Sequence, residues 1–333
     1  LHVNKTLRTF MLADQVGHCD RFIQREKGTE QLIKEAKMRG EYIYEPGKWK
    51  VTEQMIKDYD ELGFILVRKM FSKEEVDKID QAITREDGVQ QYRYGLDDGQ
   101  KRKNNFVIWS HPGNDVTGMV GRCSRIVDTS EALMGGQEIY HYHTKVVMKD
   151  PNTGGKFHWH QDYGYWYKNG CLKPDMNTVY IAVDKNDLSN GCLQVIPGTH
   201  RCGRIEHVMI GAQTGADPER VEQILKFPGF EKVAVELNPG DTLLFHCNLL
   251  HTSEPNNSDH RRWAILVSYN RKDNDPVYVH HHAQYTPLSK VPDSAILECD
   301  NFTDLSGKEF VDPTKDKSVR YSYDSAKEDS AKE

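Results

Sequence analysis

The segment Phe157-His158-Trp159-His160-Gln161-Asp162 carries the residue types best able to do chemistry in this 333-residue chain. Side chains two apart on an extended backbone point the same way, so His160 and Asp162 can grip one ion from the same side. A borderline imidazole nitrogen beside a hard carboxylate oxygen suits Fe(II) better than thiolates would, and two histidines with one carboxylate make a facial triad. Such a triad leaves positions open where a co-substrate and O2 can meet. The third ligand must arrive from a distant strand. His251, in Phe245-His246-Cys247-Asn248-Leu249-Leu250-His251-Thr252-Ser253, is the candidate.

Eleven residues past His251 stands Arg262, on a predicted strand whose same-face neighbours Ala264, Leu266 and Ser268 are small or apolar. A guanidinium in such surroundings needs an anion, and the distal carboxylate of 2-oxoglutarate is a bidentate match. Ser253 adds a hydroxyl to the same end. A lone His-x-Asp arises often by chance. The ordered set of His-x-Asp, a distant strand-end histidine and a strand-borne arginine is what points to a metal site.

Other histidines compete. His158-x-His160 is a possible pair, but Asp162 supplies the hard donor that His158 lacks. The run His280-His281-His282 has the composition of a metal tract. Adjacent strand side chains alternate in direction, so a polar loop at the domain edge is the expectation there. His141 and His143 alternate along one strand, and His143 is expected either to contact substrate or to be a satisfied buried group. Tyr163, Tyr165, Trp166 and Tyr167 follow directly on the ligands and serve equally well as core packing or as a substrate lining, with Trp166 the first choice.

The elements that must position these residues are mostly β. Met55, Ile56, Tyr59 and Leu62 recur at helical spacing, Gly63 can close that helix, and 64–67 reads as a strand. Ser72-Lys73-Glu74-Glu75 is a capping box opening a second helix with Val76, Ile79 and Ile83 inward. The polar stretch 97–114 around Phe106-Val107-Ile108-Trp109 reads as a loop with one strand, able to cover a site. Strands are expected at 139–149, 177–183, 193–196, 232–237, 242–246 and 262–270, with one short helix at 217–225. Strands without crossover helices argue for an antiparallel sandwich or barrel. Residues 1–50 read as an extension with a helix near 29–38, 51–314 as the domain, and 315–333 as a charged tail.

A formal net charge of −6 gives no cationic field for nucleic acid or anionic lipid, and no apolar run approaches the length of a membrane span. Seven scattered cysteines without a Cys-x-x-Cys pair fit a reducing, intracellular and cytoplasmic setting. The partner is expected to be a small molecule.

The motifs resemble the phytanoyl-CoA dioxygenase family. They are the His160-Gln161-Asp162 segment with Trp166, Asn190-Gly191-Cys192-Leu193-Gln194-Val195-Ile196-Pro197-Gly198-Thr199-His200, Pro239-Gly240-Asp241, and His251-Thr252-Ser253 followed by Arg262. Within it, Asp162-Tyr163-Gly164-Tyr165-Trp166-Tyr167-Lys168-Asn169-Gly170-Cys171 is most similar to the proline-hydroxylase-like group, with ectoine hydroxylase also in the family. The resemblance implies a double-stranded β-helix, or jelly-roll, with flanking helices. It implies His160, Asp162 and His251 as iron ligands and catalytic centre, Arg262 as 2-oxoglutarate anchor aided by Ser253, Lys145 and Asn177, and Trp166, Tyr163 and His143 at the substrate. The implied activity is hydroxylation of an unactivated C–H bond of a small zwitterion such as L-proline, with release of succinate and CO2 and with ascorbate as a reductant. An acyl-CoA 2-hydroxylase is the alternative, and a zinc hydrolase or a non-catalytic binding protein the alternatives of another class.

Overall fold

The computed structural model describes residues 39–210 and 213–313. The helix expected near 29–38 and the tail from 315 lie outside the described residues. The described chain opens with strand β1 (Glu41–Ile43), helix α1 (Glu53–Leu62), strand β2 (Phe64–Arg68) and helix α2 (Lys73–Thr84). Side chains start both helices: Thr52 Oγ1 accepts from the Met55 N–H at 3.2 Å, and Ser72 Oγ accepts from the Glu75 N–H at 3.2 Å. The Glu75 carboxylate returns the favour on the Ser72 N–H at 2.8 Å, completing the capping box. Gly63 ends α1 at φ 83°, a conformation that costs other residues roughly 1 kcal/mol or more.

Then come β3 (Tyr94–Asp97), β4 (Lys103–Ser110), α3 (Val116–Arg122), α4 (Ser124–Leu133) and β5 (Ile139–Lys149). The site segment contains β6 (Phe157–His160), α5 (Asp162–Trp166) and β7 (Met176–Ala182). It is followed by β8 (Leu193–Val195), β9 (His207–Ile210), β10 (Gln213–Ala216), α6 (Pro218–Lys226) and β11 (Val233–Val235). The last elements are β12 (Thr242–His246), β13 (His251–Ser253), β14 (Arg262–Arg271), α7 (Ala295–Glu298) and β15 (Glu309–Phe310). The expected strands form within a few residues of their predicted ends. Helices α3 and α4 and the β9–β10 hairpin were not anticipated. Gly118 hides α3 in the sequence, yet it is there for close approach, since a Cβ would lie 2.4 Å from the Gly113 carbonyl oxygen.

Nine strands form one sheet in the order β1-β2-β12-β7-β14-β5-β4-β15, with β3 also on β4, and a second sheet runs β11-β8-β13-β6. The pairings are antiparallel except β1 with β2. That parallel edge strand falls inside the stretch read as an N-terminal extension. Its described part is bonded to the domain, with Tyr42 also donating to Asp58 Oδ2 at 2.7 Å.

Alternation divides the large sheet into a dry side and a working side. Val179, Ile181, Ile265 and Val267 face Val76, Ile79, Ile83 and Ile126 of the helices. Each such fully buried aliphatic side chain contributes on the order of 2 kcal/mol. Tyr180, Ala182, Ala264 and Leu266 face Leu193, Val195 and Val235 of the second sheet. Two facing antiparallel sheets with helices outside one of them make a jelly-roll. In β5 the register slips, with His143 opposite Ser268 and His141 opposite Tyr269. Tyr142 is thus the extra residue of a β-bulge, and both Tyr142 and His143 reach Trp166 on the working side.

Candidate active site

Strands β6 and β13 pair so that His160 and His251 are direct partners, their ring centroids 4.1 Å apart. Gln161 continues the extended backbone past His160 at φ −111° and ψ 136°, which turns Asp162 onto the same side at the first position of α5. One ligand atom from each of His160, Asp162 and His251 lies within 4.8 Å of the others. His251 Nε2 is 3.9 Å from Asp162 Oδ1, and the three residues are at most 8% exposed.

Both imidazoles are prepared to bind a cation. His160 Nδ1 lies 2.7 Å from the His158 carbonyl oxygen and His251 Nδ1 2.8 Å from that of Leu249. A carbonyl only accepts, so each Nδ1 carries the proton and each Nε2 keeps its lone pair for metal. Burial, and for His160 also the proximity of His251, holds both rings below the usual histidine range and therefore neutral. Two neutral imidazoles and a carboxylate fit Fe(II).

The support is built from the sequence around the ligands. Gln161 is fully buried; its amide donates to the carbonyls of Gly203 and Asn248, each at 2.8 Å, and accepts from the Ile205 N–H at 2.7 Å. The loop after β6 is thereby tied to the loop before His251. His207 Nε2 accepts the Gln161 N–H at 3.0 Å while Nδ1 donates to the Ile205 carbonyl at 2.9 Å. A Cβ at Gly164 would fall 2.2 Å from the His207 ring, so this position admits only hydrogen.

Arg262 is 1% exposed, donates to Tyr180 Oη at 2.6 Å and reaches within 3.5 Å of Ser253 Oγ. Ser253 is two residues from His251, about 7 Å along the strand, which brings the guanidinium near the triad. Directly opposite Arg262 on β5 stands Lys149, also buried, donating only to the carbonyl oxygens of Ser253 and Glu254. Burial first and Arg262 second push the Lys149 ammonium well below the usual lysine range. Among the described residues no carboxylate lies within ion-pair distance of either cation. A buried guanidinium without a counter-charge costs several kcal/mol, and an anion arriving there would also favour the charged form of Lys149, so this end of the site suits an anion.

A cavity of about 190 Å³ opens onto His160 and Asp162, lined also by His143, Lys145, Tyr165, Trp166, Phe106, Ile108, His281 and His282. Several expectations need correction. Asn177 turns away from the triad: it is opposite His246 and Tyr269, on the helix-covered side of β7. Thr178, one residue on, is the one that points in, donating to Asp162 Oδ2 at 2.7 Å. Tyr163 packs into the aromatic cluster behind the site and donates to the Cys171 carbonyl at 3.1 Å. The chain is helical there, so Asp162, Tyr165 and Trp166 share a face that Tyr163 does not. The histidine tract is a loop, as expected, but His281 and His282 line the cavity. Lys145 does face the cavity, with burial lowering its ammonium and Asp162 opposing that shift. Sequence reasoning did not single out Lys149, Thr178 or Tyr180, although alternation along β5 from Lys145 marks Lys149.

The fold has solved counterparts. Apo EctD from S. alaskensis aligns with a TM-score of 0.60 at 21% identity, covering 75% of this chain and 91% of that one. The non-heme alpha ketoglutarate dependent carbocyclase SnoK aligns with a TM-score of 0.54 at 21% identity, over 79% and 97% of the two chains. In class the protein is a 2-oxoglutarate-dependent dioxygenase. It belongs to the phytanoyl-CoA dioxygenase (PhyH) family, whose model matches residues 59–264. Similar relatives include L-proline trans-4-hydroxylase of Streptomyces griseoviridis, 30% identical over 50% of this chain and 68% of its own length. Ectoine dioxygenase of Bordetella parapertussis is 23% identical over 70% and 80%. The described cysteines are free, and no helix among the described residues is long and apolar enough to cross a membrane.

Proposed function

We propose that the protein hydroxylates a C–H bond of a small zwitterion of the amino-acid kind, with L-proline the first candidate, consuming 2-oxoglutarate and O2 and releasing succinate and CO2. The observation that carries the reading is the buried pair Arg262 and Lys149, without a carboxylate in ion-pair distance among the described residues, with Arg262 reaching Ser253 on the same strand as His251 of the His-Asp-His cluster. Fe(II) held by His160, Asp162 and His251 supplies the oxidising chemistry. Arg262, with Ser253, Tyr180 and Lys149 around it, receives the far carboxylate of the keto acid. A zinc hydrolase has no use for that anion seat.

The wall formed by Trp166, Tyr165, Phe106 and Ile108 excludes water and holds the substrate's hydrocarbon part against the triad. The cavity volume lies below the range of drug-sized sites, which favours an amino acid over an acyl-CoA. The similarity to a proline hydroxylase supports the same choice.

The test is a screen of amino acids, ectoine and acyl-CoAs for substrate-dependent succinate release by the iron-loaded full chain. Asp162→Ala and His251→Ala are expected to abolish it. Undiminished turnover in either variant sinks the assignment, and turnover with acyl-CoA alone moves the substrate to the alternative class.

A further inference from the structure

The tract at 280–282 is left without a role by the assignments above, and it meets the bulge in β5 at one place. The His282 ring lies 4.8 Å from His143 at an interplanar angle of 30°, and both pack against Tyr142. Trp166 stands edge-on to His143 at 5.6 Å. His143 is 6% exposed, and the Nδ1 atoms of both His143 and His282 are buried without a hydrogen-bond partner. Two orphaned ring nitrogens side by side in a cavity wall cost on the order of 1–3 kcal/mol each until a ligand meets them.

We propose that His143 and His282 form the subsite for the substrate's carboxylate, with Trp166 as the apolar platform beside it, so that the substrate class is a small carboxylic acid. The inference deepens the oxygenase reading and rests on it.

The charge around the pair selects an anion. The titratable groups that act on the two rings are Lys145, His141, His280 and His281, none of them acidic. Burial first, and these neighbours after it, keep both rings neutral. Each ring can therefore place one N–H on a carboxylate oxygen without taking up a proton. An ammonium group there would face Lys145. Among the described residues the cavity's one lining carboxylate is Asp162, which belongs to the triad and already accepts from Thr178.

Distance fits a small molecule as well. His143, Ser268 and Thr178 stand in one row across β5, β14 and β7. Two strand spacings, about 10 Å, separate His143 from the residue that holds Asp162. An acid anchored at His143 and His282 would thus extend its carbon skeleton over Trp166 toward the triad. The tract can offer two adjacent histidines to one cavity because 280–282 is irregular backbone, free of strand alternation.

The experiment is anaerobic calorimetry on the full chain loaded with Fe(II) and 2-oxoglutarate, using L-proline and a panel of small amino and imino acids, each paired with its carboxamide. The expected result is that a binding acid loses at least tenfold in affinity as its amide. His282→Leu and His143→Leu should lose as much for the acid and nothing for the amide, while His282→Asn, which keeps an N–H donor, recovers part. The KM for 2-oxoglutarate, measured on the same variants, separates a loss at the substrate's carboxylate from a loss at the keto-acid end of the site. Equal binding of acid and amide by the unmutated protein, or variants that raise the 2-oxoglutarate KM instead, would overturn the carboxylate subsite. An unmutated protein that makes no succinate at all would remove the oxygenase reading, and the subsite with it.

Discussion

Thr178 donates to Asp162 Oδ2 at 2.7 Å and lies 3.1 Å from Ser268 Oγ. The single threonine proton is on the carboxylate, so Ser268 must be the donor to Thr178. Strands β7 and β14 thereby fix a metal-ligand carboxylate that arrives on a loop after β6. Such partners of ligands typically matter 10- to 100-fold for metal affinity or activity. Thr178→Val should weaken Fe(II) binding about tenfold or more, and Thr178→Ser should restore it. Titration of the metal-free protein with Fe(II) under anaerobic conditions reads the constant directly. An unchanged constant in Thr178→Val would mean that the bond has no part in holding the ligand.

The proposed seating of the keto acid on Arg262 gives a second, independent test. A hydrogen bond to a charged group contributes about 1.5–3 kcal/mol, and the bidentate geometry doubles the contact. Arg262→Gln is expected to raise the 2-oxoglutarate KM by one to two orders of magnitude with the fold intact. Arg262→Lys keeps the charge but loses the planar fork, and should fall between. Steady-state kinetics at saturating amino acid separate the cases. A KM within twofold of the unmutated value would move the anion seat elsewhere, with Lys149 the next residue to change.

The convergence of His160, Asp162 and His251 and the burial of Arg262 were legible because strand alternation has a period of two and because both segments carry that signature in the primary sequence. What was lost was lost to local geometry. Asn177 and Thr178 differ by one residue, and a one-residue error in strand phase sends every side chain to the opposite face. Tyr163 was chosen over Tyr165 because the turn after Asp162 gives no sequence sign that it closes into a short helix. His282 was set aside by applying alternation to a stretch that is not a strand. Alternation from Lys145 puts Lys149 on the working side, and its pairing with Arg262 across β5 and β14 sets the buried amine beside the guanidinium.

Glu75 joins two helices as well as capping one. Its carboxylate takes two bonds from the buried Arg125 guanidinium, at 2.5 and 3.0 Å, while Arg125 also donates to the Met70 carbonyl at 2.7 Å. Asp293 lies 3.3 Å from the same guanidinium. Removing one partner of a buried pair costs about 3–5 kcal/mol when the other charge is stranded, and Asp293, still beside Arg125, should hold the loss to the lower end of that range. Glu75→Ala adds a lost cap worth about 1 kcal/mol. Urea unfolding should show a loss of that order, with succinate formation per folded molecule unchanged because α2 and α4 lie outside the working side of the sheet. A loss below 1 kcal/mol would show the pair to be solvent-screened.

His207 contributes to the acid sensitivity of the fold around the site. Burial, partly opposed by its bond to the Ile205 carbonyl, pushes this imidazole down to about 4. It is neutral when folded, and its Nε2 lone pair is what accepts the Gln161 N–H between the two ligands of β6 and α5. In the unfolded chain it titrates near 6.5, so between about 6.5 and 4 the unfolded state binds the extra proton. Stability from this residue is therefore complete above about pH 6.5. It declines as pH falls, at up to 1.4 kcal/mol per unit, by about 3 kcal/mol in all at pH 4. His246, pushed by burial to about 3 while it accepts the Asn248 N–H at 3.0 Å, adds a parallel loss on the approach to His251. His207→Asn should be less stable than the unmutated protein at pH 7.5, yet lose less between pH 6.5 and 5, the slope being shallower by up to one proton. Unfolding is the proper readout, because iron affinity in acid also reflects protonation of His160 and His251 themselves. Parallel stability curves for the two proteins across that window would show that His207 is not the group being titrated.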